Sequence, residues 1–264
     1  MVGRASALLS RERTAALGAL LALLLAYYNW RRQLPNVSFW WDVALLVFPI
    51  IPAVFALVWF VLPLWNARGL LLVAAAFAVL ALATEHAGKL AIVGNFAKLG
   101  AMTALGWWFL TWFESLSWVV LVACLIPIVD SYSVWRGPTH EIIKHREHVF
   151  TTLSFAFPVP GEVGVARLGM PDLLFFALFV GAATRWRLRV NLTWALCALS
   201  FGGTIVIANL TNAGGLPALP LLSLGFLLAN ADLLWTRLRR DRGSPPTTPE
   251  GPRGSPEETL APKS

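Results

Sequence analysis

Long apolar stretches separated by short polar breaks dominate the chain, with neither the one-sided stripe of a soluble helix nor the alternation of a half-buried strand. By apolar length there are about eight of them: Thr14 to Trp30, Trp41 to Leu64, Gly69 to Thr84, Leu90 to Phe113, Ser115 to Trp135, Val165 to Ala183, Asn191 to Leu210 and Leu216 to Trp235. A helix needs roughly 20 apolar residues to cross a hydrocarbon core about 30 Å thick. In lipid each backbone amide must be satisfied within its own segment, so such runs are helices unless they close into a barrel. Barrel strands alternate apolar and polar positions, whereas Leu70 to Leu82 is apolar throughout. The pattern predicts an all-α fold, a polytopic transmembrane helical bundle of about eight spans.

Three regions follow. Residues 1–113 form an N-terminal transmembrane bundle and residues 114–238 a second transmembrane half. Residues 239–264, rich in Pro, Gly, Ser, Thr and charge, cannot bury enough apolar surface to fold and are expected to be a disordered tail. Arg4, Arg11 and Arg13 precede the first apolar run as in a signal peptide. That run is long and has no clear small-residue cleavage site before Tyr27-Tyr28-Asn29-Trp30, which predicts a retained span.

Composition supports lipid as the solvent. Of 264 residues, 57% are hydrophobic and 13% charged, against about 25% charged in soluble domains; the mean hydropathy is +0.66. The net charge of +7 does not point to nucleic acid, because the Lys and Arg residues sit in short loops and tails, where they set membrane orientation. With an even number of spans, Arg4, Arg11, Arg13, Arg68, Arg185, Arg187, Arg189, Arg237, Arg239, Arg240 and Arg242 share the side of both termini. Arg31, Arg32, Lys89, Arg136, Lys144, Arg146 and Arg167 take the other side. The more positive terminal side is the expected cytoplasmic one, in a protein integral to the cell membrane. Trp40, Trp41, Trp65, Trp112, Trp135, Trp186 and Trp235 fall near span ends and read as interfacial anchors. Cys124 and Cys197 lie inside apolar runs and read as packing residues.

Ionisable groups at membrane depth are costly, so each is a functional candidate. Asp130 lies in the run Ile126-Pro127-Ile128-Val129-Asp130-Ser131-Tyr132, and Asp172 in Leu168-Gly169-Met170-Pro171-Asp172-Leu173. The span count places both toward the same side, so they can meet. Two close carboxyls share one proton, which supplies a base to activate water and an acid to protonate a leaving amide. The bland alternative is that each caps or marks a helix end, and Pro followed by an acid at Pro171-Asp172 is a common helix start. A third element, Gly214-Gly215-Leu216-Pro217-Ala218-Leu219-Pro220, weakens the helix where the last span begins and leaves backbone groups that an extended substrate can pair with. A plain helix start with Pro near its first turn is the alternative there.

Asp130 with its flanks, Gly169-Met170-Pro171-Asp172 and Pro217-Ala218-Leu219, in that order on hydrophobic segments, resemble the three signatures of the presenilin and signal peptide peptidase superfamily. The resemblance covers Ser115 to Trp235 and is similar to the archaeal and bacterial presenilin-like members in its short connecting loop. It implies an intramembrane aspartyl protease that cuts peptide bonds within transmembrane helices, with residues 114–238 as the catalytic half. It implies Asp130 and Asp172 as the catalytic pair, with Gly169, Pro217, Ala218 and Leu219 shaping the site and docking substrate. The expected partners are transmembrane-helix substrates and the lipid bilayer, with no nucleic acid, no metal and no cofactor. Val129 departs from the Tyr usual before the first Asp, and Pro171 from the Gly usual before the second. The family norm is nine spans.

Other constellations are weaker. His140-Glu141-Ile142-Ile143-Lys144-His145 has one residue too many for a His-Glu-x-x-His zinc site, and histidines five apart point about 140° apart around a helix. Glu141, His145 and His148 share a face, which reads as a solvated loop helix. Lys98 is expected to snorkel or to pair with an inward-facing carboxylate, and Asp42, Glu114 and Asp232 to be interfacial. No Gly-x-Ser-x-Gly or Gly-rich phosphate motif is present. The competing readings are a transporter or channel with intramembrane aspartates, and an inactive protease relative that binds membrane helices.

Overall fold

A computed structural model describes residues 10–35, 38–85, 90–136, 151–161, 164–211 and 216–243. Among them are eight long helical segments: α1 (Arg11–Trp30), α2 (Phe39–Leu64), α3 (Leu70–Thr84), α4 (Ala91–Leu110), α5 (Leu116–Arg136), α6 (Met170–Arg185), α7 (Val190–Leu210) and α8 (Leu219–Gly243). The protein is a largely helical, membrane-spanning bundle. Phe39–Leu64, Leu116–Val134, Val190–Leu210 and Leu219–Arg237 are each long and apolar enough to cross a membrane, and Leu70–Thr84 is apolar but shorter. Arg11 and Arg13 in α1, and Asn95 and Lys98 in α4, dilute the apolar character of those helices. The 16 residues of α6 reach only about 24 Å.

Each boundary has a local cause. Ser10 caps α1 by accepting the Arg13 N–H at 3.2 Å. Pro49 cannot donate within α2, and the ladder there widens to a π-turn over Leu46–Ile50, after which the Ile51 N–H reaches back to Leu46 O. α8 runs on to Gly243, into the stretch read above as tail; the remainder of that stretch lies outside the described residues, as do Gly214, Gly215, His86, His140, Glu141, His145 and His148. Contacts divide the chain into units 1–231 and 232–264. The second holds the end of α8, where Thr236 bonds back to Asp232 O at 3.0 Å. All packing below concerns the first.

The expectation of an all-α chain needs correction. Strands β1 (Ser154–Pro158) and β2 (Val165–Gly169) form an antiparallel pair with Ser154 opposite Gly169, Ala156 opposite Arg167 and Pro158 opposite Val165. The sixth helix therefore begins at Met170, not at Val165. Pro171 in its first turn has no N–H to donate back to Arg167, so the helix cannot extend toward Val165, and strand pairing supplies the partners that these amides need. Phe155 and Phe157 alternate into the core, fully buried, while Ser154, Ala156 and Pro158 take the other face. The outer edge of β1 is not left bare. The Asn95 side chain accepts the Ala156 N–H at 2.8 Å and donates to Ala156 O at 3.0 Å, and the Tyr27 and Tyr28 hydroxyls donate to Pro158 O and Ala156 O.

The core is built around α6. Leu173 and the run Phe176 to Val180 are buried, as are Ala182 and Ala183. Phe55 of α2 lies between Phe176, at 4.1 Å, and Phe201 of α7, stacked at 4.8 Å; Phe179 stacks on Phe226 of α8 at 4.7 Å. α4 approaches α6 so closely that a Cβ on Gly106 would meet Leu174 O at 2.5 Å, and Trp107 Nε1 donates to Ala177 O at 3.0 Å.

Polar bonds tie the helix ends in two groups. At one end Arg13 donates to the carbonyls of Trp59 and Phe60, Trp59 donates to Asn191 and Arg185 donates to Leu110 O, so the arginines satisfy carbonyls that helix ends leave unpaired. Asn230 joins this group by accepting the Arg189 N–H. At the other end Tyr27, Tyr28, Asn95 and Arg31 hold the hairpin. Arg13, Arg185 and Arg189 thus belong to one group of contacts and Arg31 to the other.

Candidate functional site

Asp172 stands at the first turn of α6, immediately beyond the end of β2. Its carboxylate Oδ2 accepts the Gly169 N–H at 3.1 Å. This is one half of a capping box, since glycine has no side chain to complete it. A Cβ on Gly169 would come within 3.1 Å of the same oxygen, so a side chain there would make the carboxyl give way by a few tenths of an ångström. The carboxyl is buried, 9% exposed, and the helix behind it is fixed by the aromatic core.

Asp130 lies near the end of α5, one turn beyond Pro127, which lacks the N–H for a normal ladder bond. It is half-buried, and its Oδ2 accepts the N–H of Leu219, the first residue of α8, at 3.2 Å. An aspartate from one helix therefore caps the N-terminus of another, where unpaired N–H groups and the helix dipole favour an anion. Leu216 and Pro217 are non-helical, and Ala218 and Leu219 are buried. Ala218 O accepts the Leu222 N–H at 3.1 Å, the first bond of α8.

Asp172 is thus linked locally to Gly169, and Asp130 to the distant Leu219. Asp130 and Asp172 stand on helices that pack against each other, α5 and α6, and each carboxyl engages a helix-terminal N–H through one oxygen. No hydrogen bond reaches Oδ1 of either aspartate among the described residues. Both bland expectations are realised as well, because each carboxylate caps a helix start. Capping fixes one oxygen of a carboxylate and leaves the other for chemistry. Val129 faces outward, 65% exposed, so the missing aromatic lies on the surface of α5 rather than against Asp172. Pro171, also exposed, occupies a helix position that needs no N–H.

Other singled-out residues fall elsewhere. Lys98 is buried and pairs with Glu85 at 3.7 Å, the carboxylate partner expected for it, while donating to Thr151 O and Ser154 O. Glu114 is exposed. Asp42 is not interfacial in the exposed sense: it is 5% exposed and its Oδ1 has no partner among the described residues, on the inward face of a turn whose Phe39, Trp40 and Trp41 are exposed. Trp40, Trp41, Trp112 and Trp235 are all exposed, as interfacial anchors would be. The described residues hold no cluster of three metal-ligating side chains. Sequence reasoning missed Asn95 and the Lys98–Glu85 pair as hairpin anchors; the polar positions that interrupt α4 on one face were the available signal.

No protein-family model matches the chain, and no curated protein matches it.

Proposed function

We propose that the chain is an intramembrane aspartyl protease, with eight spans and a presenilin-like catalytic half, that hydrolyses peptide bonds of transmembrane-helix substrates. The observation that carries this reading is that two carboxyls stand on the packed helices α5 and α6, one of them bonded to the backbone of the Pro217-Ala218-Leu219 segment.

In the reaction one carboxylate removes a proton from water, and the water oxygen attacks the scissile carbonyl carbon. The other carboxyl donates its proton to the amide nitrogen as the C–N bond breaks. The proton gained by the base restores the pair after product leaves. Pro217 keeps the chain before α8 out of a helix, so its backbone groups remain available to hold an unwound substrate. The positive charge around Arg13, Arg185 and Arg189 orients both termini to the cytoplasm, which reporter fusions near Ser264 and between β1 and β2 test by reporting on opposite sides.

The deciding experiment reconstitutes the purified chain with a single-span substrate and looks for cut fragments and for ion flux. Cleavage by the wild type and none by Asp130→Asn supports the protease. Asp-dependent flux without cleavage supports a transporter, and substrate co-purification without either supports an inactive helix-binding relative.

A further inference from the structure

A second polar site lies on the other face of the hairpin. A cavity of about 820 Å³ opens between the end of α1, the end of α3, the start of α4 and the strands. Phe155 and Phe157 point away from it into the core; Ser154, Ala156 and Pro158, with Arg167 and Val165 opposite, line it. Among the described residues its charged lining is unbalanced: Arg31, Arg32, Lys98 and Arg167 against the single carboxylate of Glu85.

The cations are not equivalent. An ammonium has three donors, and Lys98 already faces Glu85, Thr151 O and Ser154 O, so it pins the hairpin and adds only its field. Arg31 spends one donor on Gly164 O of the five that a guanidinium carries. Arg32 is exposed and has no carboxylate partner among the described residues. Burial, and then the adjacent Arg32 charge, lower the pKa of Arg31 below the usual guanidinium value.

The position selects the anion. The cavity sits where α1 and α3 end and α4 begins, at the level of Trp30, which is 57% exposed and of the residue type that settles at the headgroup layer. Paired guanidiniums match a phosphate's oxygens in fork geometry. We propose that this cavity binds the headgroup of an anionic phospholipid, its phosphate held by Arg31 and Arg32 with Arg167 on the strand side. The bound headgroup bridges α1 to the hairpin whose far end carries Gly169 and Asp172. The proposal does not depend on protease activity and is read without it.

The test uses the purified full chain in mild detergent, titrated with phosphatidylglycerol or phosphatidylcholine, with bound lipid counted by native mass spectrometry. The expected result is preferential retention of phosphatidylglycerol, weakened roughly ten- to thirtyfold in Arg31→Gln/Arg32→Gln and largely kept in Arg31→Lys/Arg32→Lys. Arg68→Gln, on an exposed residue just before α3, removes the same kind of charge elsewhere and should leave retention unchanged. If the double variant does not fold, Arg32→Gln alone should still weaken retention, since its side chain has no partner to lose among the described residues. Equal retention of the two lipids, or an equal loss with Arg68→Gln, overturns the proposal. Inorganic phosphate binding as tightly as phosphatidylglycerol overturns the lipid assignment in favour of a free anion.

Discussion

The two aspartates ride on helices of opposite character. α6 is the most enclosed element of the bundle, with Phe176, Ala177, Leu178, Phe179 and Val180 wholly buried. On α5 only 11% of the apolar span is buried, and Leu121, Leu125, Ile128, Val129 and Tyr132 are exposed. Asp172 is therefore positioned by a packed core and a local N–H, whereas Asp130 is positioned by a peripheral helix and one hydrogen bond to Leu219. Under the protease reading this asymmetry divides the labour. The α6 side supplies the preorganised half of the site, and the α5 side supplies the half that meets a substrate arriving from lipid.

The largest expected effect breaks the comparison at its packing. Phe176→Ala should destabilise the protein by about 3–5 kcal/mol, while Ile128→Ala on the open face of α5 should stay within about 0.5 kcal/mol; unfolding in detergent measures both. Equal losses would mean that α5 is as enclosed as α6. A smaller effect is expected at the fixed carboxyl. Gly169→Ala pushes a methyl against Asp172 Oδ2 and should slow cleavage up to about a hundredfold through misplacement, with accumulation of the protein unchanged. Smaller again is the effect on the loosely held side. Pro217→Ala favours helix before Leu219 and should reduce cutting more than it reduces abundance; unchanged cutting would make the segment a plain helix start.

How legible was this in the sequence? The helices were, because lipid permits few structures and an unbroken run such as Leu70 to Leu82 has one reading. Asp130 and Asp172 were conspicuous for the same reason: a carboxyl in an apolar run is rare. The hairpin was not legible, because Val165 to Gly169 joins without a break to the apolar run of α6 and its partner strand is only five residues long. Its anchors are long-range contacts, such as Asn95 with Ala156, that no local pattern encodes. The bond from Leu219 to Asp130 is equally non-local. Proximity of the third motif to the first could be expected from the family resemblance, but the atom that makes the contact could not.

The central claim is that the buried and the peripheral carboxyl act as one unit. It is tested most directly by cleavage rates of Asp130→Asn, Asp172→Asn and the double variant on one reconstituted membrane-helix substrate. Asn keeps the size of the side chain and an oxygen for the cap, so all three should insert and accumulate. The account predicts that each single variant loses cleavage to the same background, that the double variant is no worse than either, and that the wild-type rate rises and falls with pH as a bell. Near wild-type cleavage by either single variant would contradict it, and would leave that aspartate as a helix cap and nothing more.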